Sequence, residues 1–169
     1  GTLTQNQMRV TEAFFSEEYL ANGFVSESLS LNSSANLDLS DAEKPKVIGN
    51  PTEGALLLWL KERGIDYLKF REQTEVIEKL PFTTENKYMA TVISSKALGK
   101  KVLLVKGAPE IILQMCKSFD ECFSAEVVKE TLAGFQKKAM RTLGFAYKFI
   151  ESEGSVIEDR KLKDLDLCF

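Results

Sequence analysis

Apolar and polar positions change their spacing several times along the chain, and each change predicts an element. The clearest is the stretch opened by Asn50-Pro51-Thr52-Glu53, ahead of the apolar run 55–60. Asn at the cap, Pro at the first helical position and Glu three residues past the cap are helix-start chemistry. The apolar body predicts a helix buried on most sides, and Gly64 supplies a left-handed stop. Residues 76–82 read as a strand broken near its end by Pro81. Residues 87–95 read as a strand with Tyr88, Ala90 and Val92 on one face and Met89, Thr91 and Ile93 on the other. A turn at 96–100 containing Gly99 joins it to a strand at 101–106, making a hairpin. Pro109 opens a helix running to about residue 116. A second, amphipathic helix spans about 125–140, with Val128, Leu132, Phe135 and Ala139 as its stripe. Residues 141–150 read as a strand, 151–163 as a charged loop, and 165–169 as the start of another strand. Residues 8–15 read as extended. Residues 26–46, rich in Ser, Asn and Asp, read as a short helix followed by a solvated loop ending at Pro45. Helices and hairpins without strict β-α-β order make the class α+β.

Composition narrows the chemistry. The chain has 169 residues, 44% hydrophobic and 28% charged, which is the balance of a globular protein with one sizeable core. With 22 Lys plus Arg against 25 Asp plus Glu, it carries a formal charge of -3, which speaks against nucleic acid as a partner. There is no histidine, so Ser-His and Cys-His nucleophiles and the commonest zinc ligand are excluded. Cys116, Cys122 and Cys168 do not form a C-x-x-C pair or a disulfide framework and read as reduced thiols. The longest apolar run is far short of the roughly 20 residues a membrane span needs, so no membrane insertion is expected. The opening Gly1-Thr2-Leu3-Thr4, without Met, is expected to follow on from a longer chain.

Neither G-x-x-x-x-G-K-[ST] nor G-x-G-x-x-G occurs, so any nucleotide must be held differently. The hairpin offers a means. With its turn near residue 98, Lys87 falls opposite residue 107 or 108 and close to Lys106, with Phe82 just upstream at the same end. An aromatic ring beside two ammonium groups can stack a base while the lysines face its phosphates. Gly107 removes a side chain there and allows a ligand to approach. The alternative is that Phe82 belongs to the core and both lysines are solvated. Glu53 either caps the helix backbone or accepts a hydrogen bond from a purine amine. Arg141 either reaches a phosphate or is a surface charge.

These segments resemble the P-type cation-transporting ATPases, most nearly the calcium-transporting type, over essentially the whole chain. Lys106-Gly107-Ala108-Pro109-Glu110 matches the family's K-G-A-P-E motif. Asn50-Pro51-Thr52-Glu53-Gly54-Ala55-Leu56 resembles G-[DN]-P-[TL]-E-x-A-L. Leu80-Pro81-Phe82 followed by Lys87 resembles F-x-x-x-x-K, Met140-Arg141-Thr142-Leu143 resembles M-R-x-L, and the opening GTLT resembles the tail of D-K-T-G-T-L-T. One departure is Thr84, where animal calcium pumps of this kind carry an Arg.

The resemblance implies the nucleotide-binding domain, an antiparallel sheet of six or seven strands flanked by helices and a cytoplasmic part of an integral membrane protein. Residues 1–10 and 165–169 would be hinge strands to and from the phosphorylation domain, with 11–164 the nucleotide-binding domain itself. By the motif match Phe82 stacks on adenine, with Glu53 near its amino group. Lys87 and Lys106 line the pocket, Gly107 and Ala108 form its wall, Arg141 faces the phosphates and Leu143 packs beside the nucleotide. The cofactors implied are ATP and magnesium, the latter held mainly by the phosphorylation domain. The partners implied are the phosphorylation and actuator domains. The aspartate that accepts the γ-phosphate would precede Gly1, so no catalytic or metal-binding residue is expected in this chain. A scaffold of the same fold without nucleotide affinity is the competing expectation.

Overall fold

The computed structural model describes residues 10, 13, 15, 17–40, 45–118, 125–138, 141–150, 157–158, 161–162 and 167–168. The chain divides into two compact units, Gly1–Gln73 and Thr74–Phe169. The first contains α1 (Glu17–Ala21), α2 (Phe24–Leu31), β1 (Asn36–Asp38), β2 (Lys46–Ile48), α3 (Pro51–Glu62) and α4 (Tyr67–Gln73). Its centre is α3, which forms as its sequence dictates. The Asn50 carboxamide oxygen accepts hydrogen bonds from the Thr52 and Glu53 N–H groups at 2.8 and 3.2 Å, and Pro51 occupies the first turn. Gly64 ends the helix in the left-handed region, at φ 77°. The Ile65 N–H donates to the Leu60 carbonyl and the Gly64 N–H to that of Lys61, which closes the last turn. Leu57 and Leu60 are fully buried. Replacing Asn50 by Ala is expected to cost about 1 kcal/mol, the usual worth of such a cap. Urea unfolding checks this, and a loss below a few tenths would mean that Pro51 alone starts the helix.

The serine-rich span corrects an expectation. The helix is present, with Ser26, Glu27 and Ser30 buried on it, but the residues that follow are solvated only in part: Asn32, Ser33, Ala35 and Leu37 are buried, while Ser34 and Asn36 are exposed. Serine suits such a place because its short side chain can return its hydroxyl to a carbonyl four residues back. The Ser30 hydroxyl donates to the Ser26 carbonyl at 2.7 Å. Arg71 of α4 fastens the rest. Its guanidinium donates to the carbonyls of Ser30 and Ala35 and to the Asn36 side chain at 2.7–2.8 Å, and it stacks over the Tyr67 ring. Burial lowers its pKa from the ordinary arginine value, with Tyr67 and Glu53 opposing that shift. β1 and β2 then pair antiparallel, Leu37 opposite Val47, within what reads as loop. Besides Ser34 and Asn36 between the buried positions, Leu39 and Ser40 are exposed after them.

The second unit contains β3 (Glu75–Leu80), β4 (Tyr88–Ser95), β5 (Lys100–Gly107), α5 (Pro109–Met115), β6 (Cys116–Ser118), α6 (Ala125–Lys137), β7 (Gly144–Phe149), β8 (Ile157–Glu158), β9 (Lys161–Leu162) and β10 (Leu167–Cys168). Six of these strands form one sheet in the order β3-β4-β5-β7-β10-β6, antiparallel except for the β10–β6 pair. This is the expected α+β architecture. Leu80, Tyr88, Ala90, Val92, Leu103, Val105, Ile112, Ala146 and Ile150 make the core on one face, with Ile111 and Met115 of α5 packed against it. The other face is buried as well at Met89, Thr91, Ile93, Val102 and Leu104, so the central strands read as apolar on both sides.

Several boundaries differ from the pattern reading. β7 begins at Gly144 rather than 141, because its partner β5 ends at Gly107, opposite Gly144, and no strand among the described residues pairs with Arg141–Leu143. The charged stretch 151–163 holds the small ribbon β8–β9, Ile157 opposite Leu162. Leu167–Cys168 is paired within the main sheet, against Tyr147 on one side and β6 on the other. The extended reading of 8–15 falls mostly outside the described residues, as do the opening GTLT, Cys122, Ala139 and Met140. The Cys116 side chain is half-buried. Among the described residues no helix is long and apolar enough to cross a membrane.

Candidate functional site

Topology brings three distant segments of the second unit to one end of the sheet. β3 ends at Leu80, opposite Ala90; β4 begins at Tyr88, opposite Gly107, where β5 ends; and Gly107 in turn faces Gly144, where β7 begins. Phe82 and Lys87, Lys106 to Ala108, and Arg141 to Leu143 therefore all emerge at the same edge. The hairpin register is the one the turn near residue 98 predicts: Ser95 pairs with Lys100 and Met89 with Lys106, which leaves Lys87 opposite Ala108.

The Phe82 ring is 54% exposed. Its strand has ended and its neighbour Leu80 takes the core position, so the core reading of Phe82 is set aside. Lys87 is also exposed, and it lies outside β4 because its φ is 62°, in the left-handed region. The turn that leads to it is short: the Lys87 N–H donates to the Thr83 carbonyl at 2.8 Å and the Asn86 N–H to the Thr83 hydroxyl at 3.0 Å. The two lysines differ in setting. Lys106 is only 5% exposed and shares a sheet face with its partner Met89. An ammonium in a low-dielectric setting acts on a neighbouring charge more strongly than one in water. Arg141 is exposed and Leu143 half-buried, just ahead of β7.

Gly107 has a packing role within the sheet. The space a side chain would fill there is taken by the Lys87 carbonyl oxygen and by Tyr88, whose Cα lies 2.9 Å from the position of a Cβ. The glycine admits the neighbouring strand, which is a different use from admitting a ligand on that side. Ala108 continues the contact, its N–H donating to the Lys87 carbonyl at 3.3 Å while its own carbonyl accepts from Ile111 and Ile112 at the start of α5.

Glu53 belongs to the first unit, on α3, and its side chain is 7% exposed. Its Oε2 accepts from the Ser34 N–H at 2.9 Å, from the Ser34 hydroxyl at 2.9 Å and from the Ser33 hydroxyl at 3.4 Å. Neither the cap nor the amine reading anticipates this tie to the serine segment, because a contact across nineteen residues leaves no local pattern. No group of three Cys, Asp or Glu side chains stands together as a metal site among the described residues.

Comparison with known proteins adds the family. The model for the P-type ATPase, cytoplasmic domain N, matches residues 22–169. The chain is 31% identical over 161 residues to calcium-transporting ATPase 1 of Lactococcus lactis subsp. lactis (strain IL1403), covering 88% of this chain and 18% of the relative. It is 33% identical to calcium-transporting ATPase PAT1 of Dictyostelium discoideum, over 88% of this chain and 15% of that protein. To the plasma membrane-type calcium-transporting ATPase 5 of Oryza sativa subsp. japonica it is 28% identical, over 95% of this chain and 17% of the relative. The chain thus spans under one fifth of the length of these curated relatives. With a match that runs through both units and takes in all the internal motif segments, the chain belongs to the P-type ATPase family, as its cytoplasmic domain N.

Proposed function

We propose that this chain binds ATP at the end of the six-stranded sheet and presents it for phosphoryl transfer to an aspartate outside this sequence, in a calcium-transporting pump. The observation that carries the reading is the convergence of an exposed Phe82 with Lys87, Lys106 and the Arg141–Leu143 segment at one sheet edge. An exposed aromatic face is available for stacking, and a base is a flat partner for it. Lys87 and Lys106 then act on the phosphates, Arg141 adds a third cation, Leu143 packs beside the nucleotide, and Gly107 and Ala108 form a wall. Glu53 is assigned to the adenine amino group by the motif match alone. Magnesium fits best as a companion of the triphosphate, since the described residues offer it no carboxylate cluster. Phosphoryl transfer is mostly positioning and electrostatics, so a domain that holds and delivers ATP contributes without a nucleophile of its own. Partner phosphorylation and actuator domains belong to the same proposal.

The test is Phe82→Ala with ATP titrated by calorimetry. Affinity is expected to fall by about 2 kcal/mol, within the range for loss of one base stack, with the unfolding midpoint unchanged because the ring is exposed. Unchanged affinity would move the base elsewhere. Absence of amide NMR shifts in the wild-type chain at millimolar ATP would favour the scaffold instead.

A further inference from the structure

Four residues separate Phe82 from Lys87, and the connection between β3 and β4 must fix both side chains at once. Thr83 closes it twice. Its carbonyl accepts from the Lys87 N–H at 2.8 Å, and its hydroxyl accepts from the Asn86 N–H at 3.0 Å. Lys87 beyond it sits at φ 62°, a conformation that a residue with a β-carbon leaves readily unless it is held. The other holds on Lys87 are main-chain: Ala108 donates to its carbonyl, and Gly107 leaves that carbonyl room. The Thr83 hydroxyl is the part of this arrangement supplied by a side chain.

We propose that Thr83 is a positioning residue for the nucleotide: its hydroxyl holds the turn that sets the Lys87 ammonium relative to the Phe82 ring. The inference rests on the reading of Phe82 and Lys87 as base and phosphate contacts. Thr83 itself touches no ligand in this arrangement; it acts through Lys87. Removing the hydroxyl releases the Asn86 N–H and lets Lys87 return to the extended region. The phosphate contact is then lost while the base stack stays.

The experiment uses the 169-residue chain with Thr83→Val, Thr83→Ser and Lys87→Ala, titrated with ATP and with adenosine. Thr83→Val is expected to weaken ATP between about threefold and tenfold, the worth of one hydrogen bond, and to leave adenosine unchanged. Thr83→Ser restores ATP affinity. In the Lys87→Ala background Thr83→Val has no further effect, since coupled residues do not add. An equal loss for ATP and adenosine would show a merely structural role and overturn the proposal. So would a full additional loss on top of Lys87→Ala, or wild-type affinity in Thr83→Val. Should valine disturb the turn by its bulk, Thr83→Ala reads the same ratio. Phe82→Ala run alongside separates the two levels: if it leaves ATP binding intact, the site reading itself falls, whereas a loss there with no Thr83 effect overturns this inference alone.

Discussion

Gly107→Ala is expected to destabilise the chain by about 3 kcal/mol, at the upper end of what overpacking costs. The sign is the informative part. In a strand interior alanine ordinarily gains about 0.5–1 kcal/mol over glycine, because glycine loses more freedom on folding. Here the added methyl falls on the Lys87 carbonyl oxygen and within 2.9 Å of the Tyr88 Cα. Both are main-chain atoms of the neighbouring strand and cannot rotate aside. The hairpin must open at that end, which disturbs the Tyr88–Gly107 pair and the Ala108 hydrogen bond to Lys87. Urea unfolding measures the loss, and amide exchange at Tyr88 and Ala108 locates it. A variant as stable as the wild type would mean that the two strands do not approach as described.

Glu53→Ala is expected to cost about 2 kcal/mol, for a different reason. A helix cap lost at the surface costs about 1 kcal/mol. Here the Oε2 acceptor serves the Ser34 N–H, the Ser34 hydroxyl and the Ser33 hydroxyl, in a place where Ser33 is buried. Ser34 is exposed and water can take over its donors, so the cost falls on the buried Ser33 hydroxyl and on the space left by a side chain only 7% exposed; an unmet buried group costs roughly 1–3 kcal/mol. Glu53→Gln keeps an acceptor oxygen of the same reach and should lose only about 1 kcal/mol, the difference between a charged and a neutral acceptor. Equal small losses in both variants would return Glu53 to the capping role.

The elements that could be foreseen were those whose causes are local. α3 was legible because Asn50, Pro51 and Gly64 act within one turn of the helix ends they set. The β4–β5 hairpin was legible because a turn near residue 98 fixes the register of all that follows, down to Lys87 opposite Ala108. The serine-rich span was misread in part because composition stands for solvation only when polar groups lack internal partners. Arg71 supplies those partners from about forty residues away. The packing of Gly107 against Lys87 and Tyr88 was not legible because one sequence shows that a side chain is missing and not what fills its place.

From its order of residues alone this protein determines its capped helix, its hairpin register and the membership of its motifs, since each depends on neighbours within a few positions or on a string of letters. The tertiary structure alone decided that residues 141–143 join 82–87 and 106–108 at one end of the sheet, that Glu53 is bound to Ser33 and Ser34, and that Lys106 is buried while Lys87 is not. Those outcomes depend on which distant strands pair and which polar groups find each other when water leaves, and that is a property of the closed chain.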